Sequence, residues 1–600
     1  MNKITYKELR DKWLNFYKNK GHVDIGPVSL IGDGKTGVLF NVAGMQPLMP
    51  YLLGEKHPKG TRLCNIQGCV RTIDIDEIGD ESHFSFFEMM GNWSLGDYFK
   101  KEKTAWTFEL LTKEFGFEAE KICATVFAGD ENAPRDEETA SLLKNLGIKE
   151  ENIYYMPKKD NWWELTGMEG TPCGPDNEWF YPKNDNPCGE HCGPDCGCGR
   201  YVEVGNDVYM QYVQLGDGKY GELKNKNVDT GFGLERNLAF LNGLNDCYKT
   251  DIFTSVMKFL EEKSGKTYGE DKESTKAMRV VADHIRTATM LIGDENGIVP
   301  SNVGAGYILR RLLRRAIRYA NSLGLEKGDL SKVSKIFIEE IYAEAYPRLV
   351  EKEEYIFGQL DLEEEKFSKT LEQGTKEFNK LVSNLKQFVP TVKTISGDKA
   401  FRLFDTFGFP LELTQEMAKE EGYMVDEEGF KKAFERHQEI SKAKTDVSFK
   451  GGLIDHSHKT VISHTACHLM QAGLRKYLGD TVFQKGSNIT PERIRFDFSY
   501  GKPLTAEEKK LVEDFVNDAI KQAIPVTCEE MTVEEAKESG ALGVFDSKYG
   551  EKVKVYTIGN LSKEICGGPH ANNTSELGKF KIVKEESSSA GVRRIKAILE

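Results

Sequence analysis

The sequence predicts an α+β protein of several domains, and three observations support this. Its 600 residues exceed what one hydrophobic core usually organises. Residues 1–245 are rich in glycine, aromatic residues and short apolar runs, a mixture typical of strands joined by loops. Residues 246–450 show helical periodicity, and residues 451–600 return to mixed helix and strand after a Gly-Gly pair. We therefore predict three domains with these bounds.

The composition excludes several classes of protein. A chain with 39% hydrophobic and 29% charged residues is neither disordered nor fibrous. It has no run of about 18 consecutive apolar residues, and its N-terminus lacks the apolar segment of a secretory signal. Twelve cysteines in 600 residues are too sparse for a disulfide scaffold. We expect a cytoplasmic enzyme that does not enter the membrane.

The first predicted domain contains a cysteine-rich insertion at residues 186–199. Glycine and proline spacers favour tight turns that bring neighbouring thiolates onto one ion, which indicates a structural zinc site. A surface insertion with free thiols is the alternative, and His191 is able to replace one thiolate. The simplest set of ligands is Cys188, Cys192, Cys196 and Cys198.

The second predicted domain contains a basic helix at residues 307–320. The chain carries a net charge of −14, so basic residues must be concentrated locally if it binds nucleic acid. Because a guanidinium binds phosphate through two hydrogen bonds, a row of arginines indicates contact with a nucleic-acid backbone. The alternative is a solvated face on a packed helix. Five arginines share an arc of about 140° when each residue turns by 100°: Arg310, Arg311, Arg314, Arg315 and Arg318.

The third predicted domain contains two motifs with metal-binding residues. His464 and His468 are four residues apart on an amphipathic helix, so both imidazoles lie on one face. About a hundred residues later, Cys566 and His570 flank a Gly-Gly-Pro turn. Two such pairs supply the four nitrogen and sulfur ligands that a zinc site uses. Cys467 points away from both histidines on the helix, so we leave it out.

Along essentially its whole length, the chain resembles the alanyl-tRNA synthetases, which are class II aminoacyl-tRNA synthetases. The resemblance implies a class II antiparallel sheet with flanking helices, a helical tRNA-recognition domain and an α+β editing domain that contains zinc. The segments that carry it are FNVAGM at 40–45, CVRTIDIDEIGDESHFSFFEMMGNWSLGDYF at 69–99, VDTGFGLER at 228–236, ADHIRTATMLIGDENGIVPSNVGAGYILRRLLRRAIR at 282–318, RLFDTFGFPLELT at 402–414, HTACHL at 464–469, PERIRFDFS at 491–499 and CGGPH at 566–570.

The resemblance also implies an activity. ATP and L-alanine form alanyl-adenylate, alanine passes to the 3′ end of tRNA(Ala), and a second site hydrolyses Ser-tRNA and Gly-tRNA charged in error. Zn²⁺ and Mg²⁺ with ATP are the implied cofactors. Two alternatives are a free-standing editing protein with an inactive catalytic domain and a zinc protein without ligase activity. The family's C-terminal dimerising region has no counterpart here, so we expect a monomer.

Site residues follow from the matched motifs. Arg71 would clamp the α-phosphate, Arg236 would hold the distal phosphates, and Asp229 would receive the substrate ammonium. Phe87 is a candidate to stack on adenine, with a core strand phenylalanine as the alternative. The expected walls of the small amino-acid pocket are Met45, Trp163, Asn206, Val208 and Gly231.

The resemblance assigns the remaining residues to tRNA and to editing. Asn302 and Asp405 match positions that read a G·U wobble pair in the acceptor stem, and the arginines of the basic helix would contact phosphates. The four ligands His464, His468, Cys566 and His570 would hold the editing zinc.

Overall fold

The computed structural model describes residues 3–32, 38–73, 75–165, 168–445, 457–543, 552–589 and 592–600. The chain divides into two compact units, Met1–Asp426 and Glu427–Glu600, called unit 1 and unit 2 below.

The compact units do not follow the predicted boundary between residues 245 and 246. The backbone N–H of Ser85 donates to Asp283 at 2.9 Å, and the buried Arg286 donates to Glu235 at 2.8 Å. Each of these bonds joins residues from the two sides of that boundary. The change of composition therefore marks a change of secondary structure within one core.

Within the described part of unit 1, nine strands form one sheet in the order β1-β2-β3-β9-β8-β7-β4-β5, with β6 beside β7. The central pairs are antiparallel, as the class II resemblance implies, while the outer pairs β1–β2 and β4–β5 are parallel. The strands are β1 Val23–Asp24, β2 Arg62–Val70, β3 Phe86–Leu95, β4 Cys123–Phe127, β5 Ile153–Met156, β6 Trp162–Trp163, β7 Pro172–Pro182, β8 Tyr201–Gly216 and β9 Lys219–Gly233.

Helices flank this sheet and share its apolar core. Helix α1 begins at a capping box, in which Thr5 accepts from the backbone of Glu8 and the Glu8 side chain accepts in return. Helix α12 buries a stripe of apolar residues that includes Leu360 and Phe367, so it packs along its length. The helices are α1 Tyr6–Asn19, α2 Met49–Leu52, α3 Lys100–Glu109, α4 Glu137–Asn145, α5 Lys158–Asn161, α6 Leu234–Leu241, α7 Asp251–Ser264, α8 Lys272–Gly293, α9 Gly304–Leu323, α10 Asp329–Ile336, α11 Pro347–Glu351, α12 Glu353–Phe388, α13 Gly397–Phe407 and α14 Leu411–Glu420. A short parallel pair, β10 Thr394–Ile395 and β11 Met424–Val425, completes unit 1.

Unit 2 has a separate apolar core. In β13 the residues Ile494, Phe496 and Phe498 alternate inward, so one face of their sheet is buried. Its described sheets have the orders β12-β13-β18-β17 and β14-β15-β16. The elements are α15 Glu427–Thr445, α16 His458–Leu478, β12 Gln484–Thr490, β13 Arg493–Ser499, α17 Ala506–Lys521, β14 Val526–Thr532, α18 Val533–Glu538, β15 Lys552–Ile558, β16 Ser562–Ile565, β17 Phe580–Ser589 and β18 Val592–Leu599.

Among the described helices of both units, none is long and apolar enough to cross a bilayer.

Candidate active site and metal sites

A row of paired residues crosses the centre of the unit 1 sheet. Trp93 on β3 pairs with Asp229 on β9, and Asp229 pairs with Val208 on β8. Two positions along, Gly231 on β9 pairs with Asn206 on β8. Because side chains alternate between the faces of a sheet, these residues share one face. The register therefore brings together four residues predicted to bind the amino acid.

Asp229 is a buried carboxylate with a fixed orientation. Its side chain accepts a hydrogen bond of 2.6 Å from the indole Nε1 of Trp93. Burial raises the pKa of Asp229 to about 7, although the bond from Trp93 and the positive charge of Lys103 oppose the shift. The Lys103 ammonium itself lies 3.2 Å from Asp207 on the other face of β8. Asp229 is therefore a buried carboxyl group whose charged form gains from a cationic partner.

An apolar cluster closes around this carboxylate. Met45, Val208 and Trp93 belong to one buried cluster, and the partly buried Trp163 packs against it. All the residues predicted as apolar walls of the pocket thus lie together. Their bulk limits the space beside Asp229.

Two glycines form the floor between Trp93 and Asn206. A Cβ at Gly91 would lie 2.5 Å from the Trp93 indole, and a Cβ at Gly231 would lie 3.2 Å from Asn206 Oδ1. Side chains at these positions would press against both walls. The missing side chain at Gly91 therefore leaves the space that the Trp93 indole fills, and Gly231 leaves room for the Asn206 side chain.

Arg71 and Phe87 lie next to each other at the end of β2 and the start of β3. The guanidinium of the exposed Arg71 lies 4.9 Å from the centroid of the Phe87 ring, and its Nε donates to the backbone oxygen of Val42 at 3.3 Å. Phe87 lies on the same face of β3 as Trp93, since the two are six residues apart. One face of the ring predicted for adenine is therefore covered by the arginine predicted for the α-phosphate.

Arg236, the other arginine predicted to bind phosphate, follows β9 and lies beside β8. Its guanidinium forms an ion pair of 2.9 Å with Glu203 on β8. Burial and the charge of Glu203 raise the pKa of Glu178 on β7 to about 8. The predicted phosphate-binding arginine thus lies beside an acidic group, which holds it in place while leaving about half of its side chain exposed.

The arginines of helix α9 do not form an open basic face. Arg310 and Arg314 both reach Glu363 of α12, at 3.2 and 3.0 Å. Arg318 contacts Glu416 and Glu420 of α14. Glutamates from two other helices therefore neutralise much of the arc that was predicted to bind phosphate.

Arg315 corrects the sequence prediction. Its side chain is 4% exposed and donates to the backbone oxygens of Ile75 and Ile78 at 2.9 and 3.2 Å. It also bonds Glu416 at 2.9 Å. This guanidinium joins α9 to the segment between β2 and β3 and to α14, and we withdraw it as a nucleic-acid ligand.

Asn302 and Asp405 lie at the surface of unit 1. The amide oxygen of Asn302, just before α9, accepts a hydrogen bond from Arg310. Asp405 is exposed near the end of α13. The structure thus gives Asn302 a fixed orientation beside the arginines of α9.

In unit 2 the predicted histidines and cysteine converge. One side-chain donor atom from each of His464, His468, Cys566 and His570 lies within 4.8 Å of the others. The Cys566 sulfur is 3.4 Å from His464 Nε2, and the His464 and His570 rings are 4.2 Å apart. Helix α16 supplies the first pair, and the turn after β16 supplies the second.

Each imidazole of this cluster has a second partner that fixes its ring. His468 Nδ1 lies 3.1 Å from Glu564, and His464 Nδ1 lies 3.1 Å from the backbone oxygen of Pro569. The hydroxyl of Thr465 lies 3.4 Å from His570 Nδ1. The opposite Nε2 atoms are therefore turned toward one point. Zinc-binding histidines commonly have such outer partners on the ring nitrogen that does not bind the metal.

The donor set fits a zinc ion. The buried His570 Nε2 has no hydrogen-bond partner among the described residues. Although burial raises the pKa of Cys566, the side chains of the three nearby histidines lower it to about 2, which favours the thiolate form that binds zinc. Three imidazoles and one thiolate form a set that zinc accepts.

The cysteine-rich insertion forms a second convergent group. Cys188 Sγ lies 3.3 Å from Cys196 Sγ, and Cys192 Sγ lies 3.8 Å from Cys198 Sγ. All four sulfurs lie within 4.8 Å of one another, and this group does not include His191.

Several contributing residues escaped the sequence analysis. Trp93 holds Asp229, Glu564 holds His468, and Glu363 and Glu416 neutralise the α9 arginines. Glu564, on β16, lies two residues before Cys566, and this spacing in the sequence was an available signal. The others depend on strand register or on helix packing, which the sequence does not display.

Comparisons with known proteins give matches to protein families and to individual relatives. Residues 8–472 match the family model "tRNA synthetases class II (A)", and residues 553–596 match "Threonyl and Alanyl tRNA synthetase second additional domain". The chain is 52% identical to the alanine–tRNA ligase of Treponema denticola, covering 100% of both chains. It is 50% identical to that of Treponema pallidum, covering 100% of this chain and 98% of the relative. It is 48% identical to that of Borrelia hermsii, covering 99% of each.

Proposed function

We infer, from the premise that this chain belongs to the alanine–tRNA ligase family of class II aminoacyl-tRNA synthetases, that it joins L-alanine to tRNA(Ala). The reaction consumes ATP, and Mg²⁺ enters with ATP as part of the substrate. The observation that carries the proposal is the Asp229 pocket, which offers one buried anion among apolar walls.

In the activation step, a carboxylate oxygen of alanine bonds to the α-phosphorus of ATP while the bond to pyrophosphate breaks. Asp229 receives the ammonium of alanine, and the indole of Trp93 holds that carboxylate in place. Arg71 lies over Phe87 and is poised to move onto the α-phosphate, which would free the ring for adenine. Arg236 would hold the distal phosphates, with Glu203 orienting it.

The pocket alone does not give the accuracy that translation needs. Its apolar walls separate glycine, alanine and serine by only about 1–3 kcal/mol, because the side chains differ by one small group. Ser-tRNA and Gly-tRNA are therefore expected products. A hydrolytic site elsewhere in the chain is the natural remedy.

We place that editing site at the His–Cys cluster of unit 2. His464, His468, Cys566 and His570 would hold Zn²⁺, which when bound supplies a Lewis acid that positions the acyl-adenosine end or lowers the pKa of a water. Glu564, Thr465 and the Pro569 carbonyl keep the imidazoles oriented. The match of residues 553–596 to the second additional domain supports this assignment.

For the tRNA, we propose Asn302 and Asp405 as readers of the acceptor stem. The hydrogen bond from Arg310 leaves the Asn302 amide N–H group as the donor available to a base edge. Arg310, Arg311, Arg314 and Arg318 remain candidates for phosphate contact, and they would exchange protein partners for phosphate on binding.

The test is ATP–pyrophosphate exchange measured with each of the twenty amino acids, followed by charging of a tRNA(Ala) transcript. Alanine should give the highest exchange, with serine and glycine weaker. Asn302→Ala should leave exchange unchanged and reduce charging. Exchange with a large amino acid at the rate of alanine would refute the pocket assignment, and full charging by Asn302→Ala would refute direct readout.

A further inference from the structure

We propose that Cys188, Cys192, Cys196 and Cys198 bind one structural Zn²⁺ that closes the loop between β7 and β8. This site is separate from the His–Cys cluster, since it lies in unit 1 and uses sulfur alone. None of the residues assigned above to the ligase reaction or to editing belongs to this cluster.

The loop at residues 183–200 has little else to hold it. Within this fully described segment Gly193 is the buried residue, and it lies against the Tyr154 ring, where an added Cβ would be 2.8 Å from a ring carbon. The other contacts are polar, such as the Arg200 Nε bond to the Asn184 oxygen at 2.9 Å. Ordering an exposed segment without an apolar core costs conformational entropy that such contacts rarely offset.

Four sulfurs nevertheless meet at one point of this loop. Zinc–sulfur bonds of about 2.3 Å in a tetrahedron place neighbouring sulfurs about 3.8 Å apart. The closest pairs, at 3.3 and 3.8 Å, lie near that spacing, and the largest separation is below 4.8 Å. Two disulfides would require bonds of about 2 Å within each pair and would leave the two pairs free to separate.

Sulfur ligation also indicates which ion binds. Four thiolates around one point favour zinc or a single iron, and exclude the oxygen-seeking Mg²⁺ and Ca²⁺. Arg200 donates to Cys192 Sγ at 3.7 Å, and this bond partly offsets the negative charge of four thiolates on a divalent ion. We commit to zinc, because the site has no apolar enclosure of the kind that a redox-active iron uses.

The position of the site gives it a structural role. The strands that enter and leave the loop are β7 and β8. Their pairing begins next to the loop, where Pro182 pairs with Tyr201, and continues along β8 to Asn206 and Val208. A bound ion would join the two strand ends and reduce fraying of the hairpin. The zinc thus stabilises the strand that carries one wall of the Asp229 pocket.

The experiment counts metal in the full chain purified under reducing conditions. The variant His468→Ala should retain about one zinc, which is the ion held by cysteine. Adding Cys192→Ser and Cys196→Ser to that variant should remove it. Cys528→Ser, at an exposed cysteine outside the cluster, is the matched control and should lose nothing.

Two further measurements identify the ligands and the effect. X-ray absorption of the His468→Ala protein should fit four sulfurs near 2.3 Å. Backbone hydrogen exchange of residues 183–205 should rise at least tenfold in the double cysteine variant, while exchange in β2 stays unchanged. Zinc-free His468→Ala protein, iron in place of zinc, or intact disulfides in the purified chain would each overturn the proposal.

Discussion

The Asp229 pocket of unit 1 and the His–Cys cluster of unit 2 both hold buried ionisable side chains, but the two sites are complementary to different partners. In the pocket, neighbouring strands place one carboxylate with a single strong donor, and its pKa rises to about 7. In the cluster, a helix and a distant turn bring four donors together, and each imidazole already has an outer partner. The pocket is complementary to a small organic cation, whereas the cluster is complementary to a metal ion.

This difference has a practical consequence, because the two sites lie in different compact units. A change in one should leave the chemistry of the other intact. Variants of each site therefore test that separation.

The largest effect is expected for Asp229→Ala. Loss of the carboxylate leaves the substrate ammonium desolvated without a partner, so alanine-dependent pyrophosphate exchange should fall at least about 1,000-fold, or roughly 4 kcal/mol. Hydrolysis of pre-formed Ser-tRNA should stay at the parent rate. Glu222→Ala, at an exposed carboxylate on the same strand, is the control and should leave exchange unchanged. Robust exchange by Asp229→Ala would show that the ammonium binds elsewhere.

The converse variant is His468→Ala. Removing one imidazole should reduce deacylation of Ser-tRNA by about 100-fold or more, because the metal-binding set falls to three donors. Pyrophosphate exchange should not change. His458→Ala alters an exposed histidine at the start of the same helix and serves as the control. If the zinc content of unit 2 falls and deacylation is unaffected, this cluster does not edit.

A smaller effect is expected for Glu564→Gln. The amide keeps a hydrogen bond to His468 but removes the charge that raises the basicity of the ring, so zinc affinity should fall about 10–100-fold. The measurement is competition with a chelator of known affinity. Glu530→Gln, at an exposed glutamate on β14, is a suitable control. An unchanged affinity would mean that Glu564 does not support the ligand.

The smallest effect concerns pH and the pocket alone. Asp229 has a raised pKa of about 7, so it becomes protonated as the pH falls through 7 and loses its attraction for ammonium. The KM for alanine should therefore rise about tenfold between pH 8 and pH 6. Glu178, with a pKa of about 8, titrates in the same range, so Glu178→Gln is the control and should keep the same profile. A flat profile would contradict an ionised Asp229 as the binding group.

The two sites also differ in how far the sequence predicts them. The ligands of the cluster stand in local patterns, since a spacing of four on a helix and a glycine turn each bring two side chains together. The pocket needed the resemblance to a family, because Trp93 and Asp229 meet only through strand register across 136 residues. The same limit explains why Trp93 was missed while Asp229 was named.

Helix α9 illustrates a different limit. Its periodicity correctly separates an arginine face from an apolar face, but it does not reveal what covers the arginines. Glu363 and Glu416 come from positions 49 and 101 residues further along the chain. The buried Arg315 shows the result, since a residue on the polar arc of one helix became part of the core between elements.

The glutamates beside helix α9 act as built-in counterions. A phosphate that reaches Arg310, Arg314 or Arg318 displaces a protein carboxylate, so this surface brings less net positive charge to the nucleic acid and releases fewer of its condensed cations than an open basic face would. The binding constant for tRNA should therefore fall less steeply with added salt than the number of arginines alone would give. Because its arginines are already neutralised, such a surface attracts other nucleic acids only weakly. It therefore favours the correct tRNA even before any base is contacted.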